Sequence, residues 1–314
     1  MITEVIFMKG WPRRLAALLL TMTVCLAAPQ AQAGIAPTIT LEDGSVLPLP
    51  EALALVESYM TSGQEEAAVA ILLQAAKAGD VVSMYNLGAA YQNGTGVAQD
   101  GAEARKWYHL AAEQGNANAI HNLALMLDKG IGGDRDAPGA LEWYEKGGAL
   151  GDPLCMYGAG YLLITGDGVP KDAEAALHWF EESAAQEYPQ ALYALGRMYD
   201  TGDGVEPDAM KAHDYYARAA AVGNANAMVA LGLELLNGWY TPQDAAQAKE
   251  WFLQAAELGN APAMYHLGRM AIYGIGGDVD YAQARDWLSQ AVDAGYADAA
   301  SLLIMAVMAD TAED

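Results

Sequence analysis

Few side chains in this sequence could do chemistry. They are five histidines (His109, His121, His178, His213 and His266), Cys155, and acidic stretches such as Asp134-Arg-Asp136 and Asp200-Thr-Gly-Asp203. No pair of histidines has metal-ligand spacing, so solvated or edge-packed rings are expected. The acidic stretches lack the alternating oxygen ligands and the closing glutamate of a dedicated calcium loop, and turn and capping chemistry accounts for them. Nucleophile and phosphate-binding signatures are missing too. There is no Ser-x-x-Lys, Gly-x-Ser-x-Gly or His-Glu-x-x-His, and Gly94-Thr-Gly96 and Gly166-Asp-Gly168 are only fragments of a glycine-rich loop. No catalytic residue, no metal and no cofactor is expected, so function has to be sought in a surface.

The elements that carry that surface are set by a 36-residue period. Glycine stands at 79, 115, 151, 223, 259 and 295, with Glu187 alone out of type. The same lattice holds aspartate (Asp100, Asp136, Asp172, Asp208, Asp244, Asp280), a large aromatic (Trp107, Trp143, Trp179, Tyr215, Trp251, Trp287) and alanine (Ala104, Ala140, Ala176, Ala212, Ala248, Ala284). A period of this length means an array of repeats.

Each repeat reads as two helices and a tight turn. Met84, Leu87, Gly88 and Tyr91 follow the spacing of one buried helix face, which predicts a first helix over 82–93 closed by Gly94 and Gly96. Asp100 and its five equivalents are expected to cap the second helix, with Glu103, Gln247 and Gln283 completing capping boxes. Asn116, Asp152, Asn224 and Asn260 cap the next first helix. Ala104, Trp107 and Ala111 form the inward face of the second helix, and the tryptophan is expected to fill the space between neighbouring pairs. One pair cannot bury that ring alone. The chain therefore reads as an all-α, right-handed α/α superhelical solenoid.

Ser83-Met-Tyr-Asn-Leu-Gly88-Ala-Ala-Tyr91-Gln-Asn-Gly94-Thr-Gly96-Val97, with Asp100 and Ala104-Arg-Lys-Trp107-Tyr-His-Leu-Ala111-Ala112-Glu-Gln-Gly115, resembles the Sel1-like repeat, a relative of the tetratricopeptide repeat. Six such units run from 81 to 297. The departures are Tyr215 for Trp, Glu187 for Gly and Trp239-Tyr240 in a turn, which suggest a bend or a specialised surface near 187 and 240. The resemblance implies an adaptor in signalling, envelope assembly or secretion. Some secreted cysteine-rich relatives are described as binding or slowly hydrolysing penicillins, but the serine and lysine that a beta-lactamase needs are missing here.

Residues 51–80 read as a degenerate capping repeat and 298–314 as a lone capping helix and tail. Residues 34–50 read as a linker or small hairpin at Asp43-Gly44. Residues 1–33 read as a secretory signal peptide: Lys9, Arg13 and Arg14 precede an apolar run from Leu15 to Ala28, and Ala31-Gln32-Ala33 offers a cleavage site. A periplasmic or secreted protein is expected, with no stable membrane insertion after cleavage. Only Cys155 survives that cut, so no intrachain disulfide is expected. The formal net charge of −24 repels nucleic acid and anionic lipid and favours basic partners.

The remaining surface is the helix stripe beside 84, 87, 88 and 91, expected to line the concave face. One register reads Tyr85, His121, Tyr157, Tyr193, Val229 and Tyr265. The other reads Ala89, Leu125, Tyr161, Arg197, Leu233 and Arg269. Tyrosine and arginine are types in which binding energy concentrates. A protein or peptide with basic or aromatic segments is the expected partner of Tyr85, His121, Tyr157, Tyr161, Tyr193, Arg197, Tyr265 and Arg269. A structural subunit of an envelope complex is the alternative.

Overall fold

The computed structural model describes residues 37–239 and 242–313, so the leader 1–33 and Tyr240 lie outside the described residues. The chain divides into two compact units, residues 1–140 and 141–314. The first holds a hairpin of β1 (Thr38–Thr40) and β2 (Val46–Pro48), then α1 (Leu49–Thr61), α2 (Glu65–Lys77), α3 (Val81–Asn93), α4 (Gly101–Glu113) and α5 (Ala117–Lys129). Helix α6 (Ala137–Ala149) begins in the first unit and belongs mostly to the second. The second continues with α7 (Pro153–Thr165), α8 (Ala173–Ala184), α9 (Pro189–Thr201), α10 (Ala209–Ala221), α11 (Ala225–Asn237), α12 (Ala245–Glu257), α13 (Ala261–Tyr273), α14 (Tyr281–Asp293) and α15 (Ala299–Glu313).

The helices are punctuated at the lattice positions. Asp100, Asp136, Asp172, Asp208, Asp244 and Asp280 each accept backbone N–H bonds from the first turn they precede, at 2.8–3.1 Å. Their own N–H groups reach back to the preceding helix, as Asp172 N does to Leu163 O at 2.9 Å, so one residue both starts a helix and fixes the turn before it. The capping boxes are only half formed. Glu103 turns its carboxylate to Lys106 Nζ (3.1 Å) rather than back to Asp100, because a lysine at i+3 offers a charged donor.

Glu187 keeps the glycine turn. Its φ is +57°, the one positive value outside glycine among the described residues, and its N–H bonds Ala184 O at 3.0 Å as Gly223 N bonds Ala220 O. That hydrogen bond holds the residue in the left-handed region, so the local turn is kept without a glycine. Arg218 pairs with the Glu187 carboxylate at 2.8 Å.

Trp107 is buried and Trp179 packs against Gly148 of α6 in the repeat before, as expected of a ring between neighbouring pairs, while Trp143, Trp251 and Trp287 are half-buried. The residue one place later is the anchor: Tyr108, Phe180 and Phe252 are at most 1% exposed, and Tyr144, Tyr216 and Leu288 are buried at the same register. Each anchor lies against the helix ahead of it. A Cβ on Gly160 would sit 2.7 Å from Phe180 Cε1, and one on Gly232 2.6 Å from Phe252 Cε1. The glycine of the first helix is therefore a seat for a ring, and the alanines around it let the pair close. In the first unit the hairpin packs Ile39 against Ala52, Ile71 and Ala75, and Gln74 exchanges two hydrogen bonds with the backbone of Thr40.

Candidate functional site

The stripe residues sit where their helix places them, beside the ring seats. Tyr85 on α3 is half-buried with its ring 5.7 Å from Tyr108, and His121 is half-buried on α5. In the second unit Tyr157 on α7 lies 5.8 Å from the anchor Phe180 and 6.2 Å from Tyr161, one turn along. Tyr193 on α9 lies 5.7 Å from the anchor Tyr216. The tyrosines are thus packing elements on one edge and surface on the other, a double role that spacing alone does not separate.

Tyr188 completes the group and was not among the expected site residues. It stands at the register where Asp80, Asn116, Asp152, Asn224 and Asn260 cap the first helix, yet α9 begins with no side-chain cap. Its ring instead packs 5.6 Å from Tyr157. Burial pushes the Tyr157 hydroxyl up to about 12, with Tyr188, Tyr161 and Tyr193 adding to the effect. Burial also raises Tyr193, against a lowering pull from Arg197 and with Asp200 adding to the rise. At neutral pH Tyr157, Tyr188 and Tyr193 are therefore protonated O–H donors.

Arg197 is exposed on α9 and Arg269 is half-buried on α13. Among the described residues neither guanidinium makes a hydrogen bond or an ion pair, whereas those of Arg105, Arg135, Arg218 and Arg285 all have partners. Arg269 lies close enough to His266 to lower its pKa, and the His266 ring meets Tyr265 at 5.2 Å. The rings of Tyr265 and Tyr296 are 5.3 Å apart, and Tyr296 again occupies the cap register. The structure thus makes one cluster of Tyr157, Tyr161, Tyr188 and Tyr193 with Arg197 acting on Tyr193, and a second ring group of Tyr265, His266 and Tyr296; among the described residues no ring contact joins them. The signal that could have found Tyr188 and Tyr296 is a tyrosine on a lattice position otherwise held by Asp or Asn.

Burial, assisted by Asp152, pushes the Cys155 thiol far up, which leaves it un-ionised and inert as a nucleophile. Two histidines are held by neighbouring groups. His213 Nδ1 lies 2.6 Å from Oε2 of the buried Glu234, whose carboxyl burial raises and His213 lowers. His266 stacks on Phe252 at 5.0 Å with its Nδ1 buried and unpaired, and burial followed by Arg269 lowers it to about 4.

Helix pairs on a strict period, four of them seating a ring on a glycine of the partner helix, define a helical-repeat protein of the tetratricopeptide-like class. The Sel1 repeat model matches residues 81–116, 117–152, 153–188, 189–224, 225–260 and 261–296, and the chain belongs to the Sel1 repeat family. It is similar to a Sel1 repeat protein from Oxalobacter formigenes, with 31% identity, a TM-score of 0.69, and 78% of this chain and 99% of that one covered. It is also similar to c5321, a protective antigen of uropathogenic Escherichia coli displaying the same repeat fold. There the identity is 30% and the TM-score 0.69 over 81% of this chain, and the match spans 56% of that protein's length. No curated protein sequence matches the chain. Sel1 repeat proteins are typically protein-interaction scaffolds and generally non-catalytic. Among the described residues no helix is long and apolar enough to cross a membrane.

Proposed function

We propose that this protein is a non-catalytic scaffold of the cell envelope, exported by residues 1–33, that holds an extended segment of a partner along the concave first-helix stripe. The observation that carries this reading is Tyr188. Giving up a helix cap costs about 1 kcal/mol, and the chain accepts that cost to set a ring beside Tyr157. Local rules are broken most often where function requires it. Two arginines without partners, in a chain of net charge −24, sit on the same stripe and offer bidentate donors to a carboxylate. The partner segment is therefore aromatic or proline-rich with an acidic side chain or terminus, its rings stacking on Tyr157 and Tyr188 and its carboxylate meeting Arg197.

Selection of displayed random peptides on the purified protein tests this. Enriched sequences pair an aromatic or proline residue with a carboxylate, and lose binding to a Tyr161→Ala/Arg197→Ala variant. Enrichment of basic peptides without aromatics, insensitive to that variant, would place recognition on the acidic surface instead.

A further inference from the structure

The repeat of residues 225–260 departs from the lattice twice. Its first helix carries Glu234, 4% exposed, at a register that elsewhere holds Ala90, Met126, Leu162, Met198 and Met270. A methionine there would complete the core, and a buried carboxylate beside an imidazole is no gain in stability over an apolar pair. Its turn carries Tyr240 at the register where Gly204 and Gly276 close their turns onto the second helix of the repeat before. A Cβ on Gly204 would collide with that of Ala173, and one on Gly276 would lie 3.2 Å from that of Ala245. The described part of the turn without this glycine, Pro242 to Asp244, borders a cleft of about 470 Å³ between α10, α11 and α12, whose walls include His213, Leu231, Leu235 and Trp251.

The polar groups of the cleft select a cation. His213 Nδ1 is engaged by Glu234 Oε2 at 2.6 Å, and the tautomer that donates this proton leaves the Nε2 lone pair as an acceptor on the open side, the imidazole being 41% exposed and the carboxylate 5%. Asp244 accepts the N–H of Gln247 with Oδ1 and keeps Oδ2 free among the described residues. No lysine or arginine is among the described residues that line the cleft. The site therefore offers acceptors and negative charge beside an apolar wall, in a chain of net charge −24. An ammonium or guanidinium on an apolar stem matches both halves: its N–H groups meet the acceptors, and its stem and charge meet the leucines and the indole.

We infer that the cleft takes the side chain of a lysine or arginine from a partner, its N–H donors shared between His213 Nε2 and Asp244 and its methylenes against Leu231, Leu235 and Trp251. This site does not rest on the tyrosine stripe and is tested apart from it. The probe is acetyl-lysine methylamide, with the norleucine analogue as the stem without charge and the glutamate analogue as the opposite charge. A Kd on the order of 1 mM is expected for one side chain, read from the Trp251 indole signal in NMR spectra of the purified protein. His213→Leu/Glu234→Met installs the types that Leu177 and Met198 show to fit these registers, so it should melt no lower than the parent and bind the lysine probe at least about tenfold more weakly. Asp244→Asn keeps a cap oxygen for Gln247 and should also weaken binding. No response of Trp251 at about tenfold above the expected Kd, a norleucine or glutamate analogue that binds as tightly as the lysine probe, or undiminished binding by the double variant would each overturn the inference.

Discussion

Phe180 and Trp179 are neighbours on α8, and the sequence draws attention to the wrong one. Phe180 is 1% exposed, and the seat beneath it is a glycine with no side chain to move into a void. Phe180→Ala is therefore expected to cost about 3–5 kcal/mol, transfer and cavity terms together. Trp179 is half-buried and rests on His178 at 5.4 Å, so its truncation is expected to cost about 1–2 kcal/mol. The seat itself supplies a sharper test. Gly160→Ala puts a methyl 2.7 Å from the Phe180 ring, an overpacking of about 1–3 kcal/mol that exceeds the roughly 1 kcal/mol gained in helix propensity. In the Phe180→Ala background the clash is gone and the propensity gain remains, so the same substitution becomes stabilising by about 1 kcal/mol. Urea midpoints at constant slope for the four combinations and for Trp179→Ala measure this. A Gly160→Ala that has the same sign in both backgrounds, or a Trp179→Ala as damaging as Phe180→Ala, would refute the packing described.

Three further outcomes are expected. Glu187→Gly should stabilise by about 0.5–1 kcal/mol, because relief of a left-handed φ of +57° outweighs an exposed ion pair with Arg218; a lower urea midpoint would contradict this. For His266 the folded value of about 4 lies below the unfolded 6.5, so the native state binds fewer protons between them. Stability should be fully present above pH 6.5 and fall by on the order of 2–3 kcal/mol as pH drops toward 4, and His266→Phe should flatten that slope in thermal melts. Tyr188→Asn should return a side-chain cap to α9, keep stability within about 1 kcal/mol of the parent, and lower partner capture; unchanged capture would remove Tyr188 from the site.

The array was legible because a 36-residue period survives every local exception. Glu187 shows how strong it is: the backbone repeats even where the residue type does not. The anchor register was harder to see because Tyr, Phe and Leu share it, whereas the adjacent Trp register is nearly uniform. Phe180 and Phe252, the only phenylalanines after Phe7, both fall on it, which is the signal that composition offered. The stripe was legible as a set of positions but not as a cluster. Whether Tyr157 meets Tyr161, Tyr188 and Tyr193 depends on how one repeat leans on the next, a tertiary fact that periodicity does not encode.

The measurement closest to the central claim compares partner capture from envelope extract by the parent protein, by Tyr161→Ala/Arg197→Ala, and by a Lys211→Ala control on the second-helix face, read by quantitative mass spectrometry alongside thermal melts. The account predicts at least a tenfold loss, about 1.4 kcal/mol, for the stripe variant alone, with its melting temperature nearly unchanged. Equal capture by the parent and the stripe variant, or a loss that tracks a fall in stability, would mean that these residues only pack the repeat.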